Sequence, residues 1–374
     1  MLTISKPLSG GQAKAYHKEE FANAQGNYYS EGGYISGEWH GKLAEQWGLH
    51  AHVEEEHFAR LANGQHPITG EQLVRHQPAR EYVNERGGTV TAMEHRAGWD
   101  ATFSAPKSVS LTALVGGDDR VRQAHRESVA LTLDALEKYV QARIGGNHPA
   151  ETTGKWVAAS FEHDCARPVD GYAAPQLHTH VLLFNLTETA NGDTRALQPQ
   201  QLYRSQQYAT AIYRSELALH LKKLGYDIEQ GRSAQPKIKG YTREYLEASS
   251  PRSREIQEHL AEHGVKGAGP AQIAAHQTRD DKLQAITHEE MRQKHLEIAA
   301  HFGRQPECVI REAQARRVDD QSPAQKHQAI ESALTYSRER NFERHAVTDE
   351  RELMRDALKH SLGQASFAEV TPAV

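Results

Sequence analysis

The chain has 374 residues, enough for one large domain or two of ordinary size, and its 38% apolar and 25% charged residues suit a globular fold. No apolar run reaches membrane-spanning length, Met1-Leu2-Thr3-Ile4-Ser5-Lys6-Pro7 lacks a signal peptide's apolar core, and two cysteines, Cys165 and Cys308, cannot form a disulfide framework; a cytoplasmic chain is expected. The net charge of −5 argues against nonspecific coating of nucleic acid and leaves room for a local basic groove.

In chain order, Gly10-Gly11 opens a predicted helix from Gln12 to Ala24, and residues 27–33, with Tyr28 and Tyr29, read as a loop. Trp39 to Trp47 and Val53 to Ala62 read as short helices, and Thr89 to Met93 and Asp100 to Phe103 as strands. Ser104 ahead of Ala105-Pro106 reads as a helix cap with proline in the first turn. Arg120 to Ile144 has the apolar spacing of a long helix. Trp156 to Phe161 and Leu177 to Leu186 are predicted strands, joined by a hairpin-like connection holding Pro168, Gly171 and Pro175. Gln200 to Leu224 is a predicted helix, Ile228 to Ile238 a hairpin-like element around Gly231, and Thr242 to Gly264 helical again. From about Gln305 the composition turns polar and charged, which reads as a linker or as the start of a further domain that the chain truncates.

The most informative segment is Pro175-Gln176-Leu177-His178-Thr179-His180. Side chains alternate along a strand, so His178 and His180 share one face. An antiparallel partner strand brings His163 beside them, and three imidazoles make a neutral metal site with open positions. With 23 histidines in the chain, a His-x-His pair alone carries little weight. His50-Ala51-His52, with His57 nearby, is such a pair; it precedes Glu54-Glu55-Glu56, has no apolar strand, and reads as a loop and a solvated helix face. A metal-binding cupin would want a carboxylate soon after the second histidine, where Val181-Leu182-Leu183-Phe184 stands.

Tyr16, Tyr28 and Tyr29 are dense for this composition. Taken alone they read as packing residues, Tyr16 on an amphipathic helix and the pair at a loop edge, but beside a metal an ionised phenol is an oxygen nucleophile for phosphorus. Asp100 either orients a ligand imidazole through its second nitrogen, accepts a tyrosine proton, or is a turn aspartate at a strand edge. Lys107 lies beside a predicted helix N-terminus, where phosphate binds, although most such lysines are merely solvated. Thr153-Gly154-Lys155 is followed by Trp156 and lacks the earlier glycine of a P-loop, which is rejected.

Four blocks in order carry a resemblance: residues 100–110 (Asp100 to Ser110), Glu151-Thr152-Thr153-Gly154, Phe161-Glu162-His163-Asp164, and Pro175 to His180. They resemble the signature blocks of MobF-type conjugative relaxases, the TrwC/TraI family, and residues 38–45 with Gly48-Leu49 are similar to another block. The likeness spans about Met1 to Gly303. It implies an α+β HUH-nuclease fold, with a palm-like antiparallel sheet flanked by helices and C-terminal helices closing over DNA. The implied division is a relaxase domain over 1–304 and a helical linker or truncated helicase-like start over 305–374.

The resemblance further implies a divalent ion held by His163, His178 and His180, with Mg²⁺ or Mn²⁺ expected; three imidazoles also take Zn²⁺, Ni²⁺ or Co²⁺. It implies that Tyr16 nicks one strand of single-stranded DNA at a transfer origin near a hairpin, that Tyr28 or Tyr29 serves a second cleavage, and that Asp100 supports the metal site. Ser250, Arg252 and Ile256 match a block in the DNA-covering helices, which makes Arg252 a DNA-binding residue. Relaxosome accessory proteins and a type IV secretion coupling protein are the implied partners of a monomer in the bacterial cytoplasm that can travel with DNA into a recipient. His17 follows Tyr16 where a second tyrosine is usual, Ser249 stands where phenylalanine is common, and no Walker A motif is present for a helicase. Three other classes stay open: a rolling-circle replication initiator, in which the histidine pair mostly precedes the tyrosine; a histidine-metal enzyme unrelated to DNA; and a non-catalytic DNA-binding or scaffold protein.

Overall fold

The computed structural model describes residues 1–13, 37–50, 52–75, 80–83, 89–92, 95–264, 288–318, 321–343 and 345–374. Its centre is a six-stranded antiparallel sheet. The strands β1 (Leu2–Ile4), β2 (Leu8–Ser9) and β3 (Gly37–His40) come first, and the small pair β4 (Arg80–Val83) and β5 (Thr89–Ala92) stands apart from that sheet. Next come β6 (Arg96–Ser104), the short pair β7 (Gln141–Ala142) and β8 (Glu151–Thr152), and the two long strands β9 (Ala158–Cys165) and β10 (Pro175–Phe184). The sheet order is β1-β6-β10-β9-β3, with β2 also on β6. The α+β architecture expected from the sequence, an antiparallel sheet flanked by helices, is therefore present.

The two sheet faces pack differently. On β10 the rear-facing Leu177, Val181 and Leu183 join Trp99, Ala101 and Phe103 of β6 in one apolar cluster. Helices Asp119–Glu137 and Gln200–Lys223 cover that cluster with Val129, Leu133, Ile212 and Leu217. The front-facing Leu182 and Phe184, with Ala159 and Phe161 of β9, pack instead against Leu43, Phe58 and Leu61. The front cover includes Phe161 but neither His163 on β9 nor His178 and His180 on β10. Period-two alternation thus separates an apolar rear from a front that is apolar at one end and carries histidines at the other.

Several boundaries differ from the sequence reading, each for a local reason. Trp39 to Trp47 is not one helix: Trp39 and His40 belong to β3, paired with β9, and the helix begins at Lys42. Gly41, at φ 99, makes that break, and a Cβ there would lie 2.3 Å from the Trp156 ring. Ser104 is no cap; it ends β6, and Pro106 takes the position before helix Lys107–Ser110, which passes into a π-helical turn at Leu111–Val115. The long helix is capped by Asp118 and stops at Glu137, because Gln141 and Ala142 pair with Thr152 and Glu151. The Glu137 carboxylate accepts the backbone N–H groups of Lys42 (2.8 Å) and Trp156 (3.0 Å). The helical stretch after Thr242 breaks into Arg243–Ala248 and Pro251–Glu262 at Ser249-Ser250. The hairpin around Gly231 is present as β13 (Ile228–Gln230) and β14 (Pro236–Ile238), which follow the short pair β11 (Thr187–Glu188) and β12 (Thr194–Arg195).

Residues beyond 304, expected as a linker or the opening of a further domain, send their apolar side chains into the rear cluster. Val309, Ala313, Met354, Ala357, Leu358 and Val370 all belong to it. Arg351 donates to Gln201 Oε1 (2.8 Å) and Ser205 Oγ (3.0 Å), and the Phe367 N–H donates to the Glu216 carboxylate. No helix among the described residues is long and apolar enough to cross a membrane.

Candidate metal centre and nucleic-acid interface

The β9–β10 pairing brings the three histidines together. His178 and His163 are direct Cα partners, and His180 pairs with Phe161 on one side and Thr102 of β6 on the other. The ring centroids of His163 and His178 are 5.0 Å apart at 26°, those of His163 and His180 5.0 Å at 78°, and those of His178 and His180 5.1 Å at 73°. The cluster is half-buried, on the front face just beyond its apolar cover.

Two of the rings have their tautomers fixed by partners that only accept. His178 Nδ1–H donates to the Gln176 carbonyl at 2.8 Å. His180 Nδ1–H donates to Asp100, 2.9 Å from Oδ2 and 3.1 Å from Oδ1. In each ring Nε2 then carries the lone pair, the arrangement that metal-ligating histidines adopt. Thr102 Oγ1 donates to Asp100 Oδ2 at 3.3 Å and lies 3.2 Å from His180 Nδ1. Burial, and then the neighbouring His163 and His180, pull His178 well below the usual imidazole range. A neutral nitrogen set of this kind fits a divalent cation, whose double charge it leaves uncompensated for an anionic substrate.

The start of β10 is clamped by helix Lys107–Ser110 and the residues before it. Lys107 Nζ donates to the Pro175 carbonyl (2.7 Å), Gln176 Nε2 donates to the Ala105 carbonyl (2.8 Å), and the Leu177 N–H donates to Ser110 Oγ (3.0 Å). Lys107 is half-buried, and burial lowers its ammonium to about 8, with the Cys165 thiol opposing that shift. Helix His288–His301 seats on the same end: Met291 packs with Cys165, Ala173 and Tyr172, and His295 Nε2–H donates to the Ala173 carbonyl at 2.7 Å.

The other sequence-predicted residues fall elsewhere. Tyr16, Tyr28 and Tyr29 lie outside the described residues. Arg252, on helix Pro251–Glu262, pairs with Glu255 at 2.5 Å. His50 and His52 are exposed, and His57 pairs with Glu54 at 3.4 Å. Thr102 was missed, although strand alternation places it on the face of Asp100. A grouping of half-buried His259 with exposed Glu262 and His263 has its ligand atoms within 4.8 Å of one another at the end of helix Pro251–Glu262.

The family model described as TrwC relaxase matches residues 10–302. The multifunctional conjugation protein TraI of Escherichia coli is 34% identical over 294 residues, 75% of this chain and 15% of the relative, so the chain spans about a seventh of that protein. A metal-bound structure of the conjugative relaxase TrwC in complex with oriT DNA is similar at a TM-score of 0.67 and 32% identity, covering 81% of this chain and 99% of that one. TrwC complexed with a 27-mer DNA comprising the recognition hairpin and the cleavage site is similar at 0.66 and 31%, with the same coverage. With a family match running through every residue of the histidine centre, the chain belongs to the TrwC relaxase family.

Proposed function

We propose that this chain is the nicking part of a conjugative relaxase, a single-strand DNA endonuclease and transesterase acting at the transfer origin of a plasmid or related element. The observation that carries the reading is the histidine centre itself. Three imidazoles converge from two adjacent strands, one locked by Asp100 at 2.9 Å, in a chain similar to TrwC–oriT complexes. His163, His178 and His180 would hold one divalent ion, Mg²⁺ or Mn²⁺ in the cell, which would supply Lewis-acid stabilisation of the charge on the scissile phosphate.

Tyr16 is the nucleophile. Its phenolic oxygen forms a bond to phosphorus in line with the breaking P–O3′ bond. The phenol's proton leaves to a base, and the departing 3′ oxygen takes up a proton. The products are a 5′-phosphotyrosine and a free 3′-hydroxyl, with bond energy conserved for reversal. Tyr28 or Tyr29 serves a second strand transfer. Asp100, already engaged with His180 and Thr102, is better suited to orienting the imidazole than to accepting the phenol proton.

The substrate is single-stranded DNA beside a hairpin, held by stacking and by cationic contacts that include Arg252, with the C-terminal helices closing over it. Relaxosome accessory proteins and a type IV secretion coupling protein are the proposed partners, and the bacterial cytoplasm the proposed compartment.

The test is a denaturing gel of the full chain with labelled oligonucleotides from its own element. A protein–DNA adduct should form, vanish in Tyr16→Phe, and map to Tyr16 in the wild type. An adduct that persists in Tyr16→Phe, or maps to Tyr28 or Tyr29 after one turnover, would overturn the assignment of roles.

A further inference from the structure

We infer that Arg122, His125 and Arg126 are positioning residues for the histidine centre, gripping from the opposite side of the sheet the strand residues that adjoin all three imidazoles. The inference rests on the reading of that centre as a metal site.

The three residues lie at i, i+3 and i+4 on helix Asp119–Glu137, and so on one helix face. His125 is fully buried and spans two partners, with Nε2 2.8 Å from Thr179 Oγ1 and Nδ1 2.8 Å from the Tyr213 hydroxyl. Thr179 is the residue between His178 and His180. Arg122 donates to Glu162 Oε1 through Nη2 (2.7 Å) and Nε (3.1 Å). Arg126 donates to Oε2 through Nε (2.8 Å) and to Oε1 through Nη2 (3.0 Å). Glu162 precedes His163, and Glu162 and Thr179 are direct Cα partners across β9 and β10. One helix therefore holds an adjacent pair of rear-facing side chains whose immediate neighbours are the three front-facing histidines.

Alternation makes this grip directional. Successive side chains on a strand leave opposite faces, so a rear side chain fixed by hydrogen bonds limits rotation of the strand about its axis and the aim of its front neighbours. Packing alone does not require polar groups here. The other rear-facing residues of this part of β10 are Leu177, Val181 and Leu183, so the one polar residue in the series sits between the two ligands. Both guanidinium groups bond the one Glu162 carboxylate, Arg122 at Oε1 and Arg126 at both oxygens. A hydrogen-bonded carboxylate bridged by two guanidinium groups is a stiff element, well suited to fixing a geometry.

The test uses the full chain carrying Thr179→Val, which keeps the side chain's shape and removes its hydroxyl, beside Thr179→Ser, which restores it. Both are made in a His259→Ala/His263→Ala background, so that the grouping there does not add a second metal stoichiometry. Mn²⁺ and Ni²⁺ affinities are read by calorimetry, and the His178 and His180 ring nitrogens by NMR in the metal-free protein. Thr179→Val is expected to weaken metal binding by about 10-fold or more, as loss of a ligand-orienting contact does. Ring signals should broaden, kcat should fall without a matching rise in KM for the oligonucleotide, and Thr179→Ser should return all three.

Should Thr179→Val fail to fold, Glu162→Gln, which keeps size and one carbonyl, is read in the same way, with an expected loss of about 10-fold. Wild-type metal affinity and wild-type ring signals in a folded Thr179→Val or Glu162→Gln protein, whatever its melting temperature, would overturn the inference and leave the rear cluster as packing alone. A parent protein whose metal affinity is the same with and without His178→Ala would overturn both this inference and the reading of the centre.

Discussion

His163 and His178 face each other as Cα partners across β9 and β10, their rings 5.0 Å apart and 26° from parallel. The pairing converts a two-residue spacing on one strand into a three-nitrogen centre, because His180 then meets the same neighbour at 5.0 Å. It also fixes where the fourth member lies, since β6 runs along the other edge of β10 and brings Asp100 to His180 at 2.9 Å.

Removing ligands and removing their support should have graded effects. His178→Ala and His180→Ala are expected to abolish tight metal binding and nicking. Asp100→Ala retains three imidazoles and releases His180 Nδ1, so it should weaken metal binding by about 10- to 100-fold. His50→Ala/His52→Ala should match the wild type. Calorimetric metal titration beside oligonucleotide cleavage checks the series; full activity in His180→Ala would count against the centre.

Lys107 and Arg252 should separate by their response to salt. Lys107 is held at the Pro175 carbonyl, so Lys107→Met is expected to loosen the start of β10 and lower cleavage without changing the salt slope of DNA binding. Arg252 lies on a helix with no buried residues, and Arg252→Ala should lower that slope by about 0.7, the value for one phosphate contact on a single strand. Fluorescence anisotropy with a labelled oligonucleotide over a salt series distinguishes them.

Acid should destabilise the fold through two buried histidines. Burial, the largest cause in both, lowers His125 and His295 from 6.5 to about 4. Between those values the unfolded chain is protonated at both sites and the folded chain is not. Their contribution is therefore intact above about pH 6.5 and is lost as pH falls towards 4, at most about 3 kcal/mol for each. Urea unfolding at pH 7.5 and pH 5 measures this. The difference between the two pH values should shrink in His295→Leu, and an unchanged difference would contradict the burial argument.

We propose that the region after 304 supports the fold and takes no part in the chemistry. Every residue assigned to the centre precedes it, yet it supplies Met354, Ala357, Leu358 and Val370 to the rear cluster. A chain ending at Gly303 is expected to cleave oligonucleotide at wild-type rate per folded molecule, with a lower melting temperature and increased binding of a hydrophobic dye. Loss of cleavage in a fully folded truncated protein would show that the tail serves the reaction.

The sequence by itself determined the local and periodic features. Alternation on an apolar run put His178 and His180 on one face, and the Pro- and Gly-containing connection implied the antiparallel partner that delivers His163. The order of blocks carried the family. The sequence could not determine what depends on contacts between distant segments. Trp39 to Trp47 has helix-like apolar spacing, but Gly41 at φ 99 and the pairing of Trp39 with Ala159 split it into strand and helix. Tyr139, Val140 and Ala142 continue a helical pattern, while Glu137 satisfies backbone donors from Lys42 and Trp156 and the chain turns into a strand. His125 has no local mark of its role, because a mid-helix histidine acquires one only when Thr179 and Tyr213 arrive 54 and 88 residues later in the chain. Hydrogen bonds between distant segments are set by tertiary packing, which periodicity along one segment does not encode.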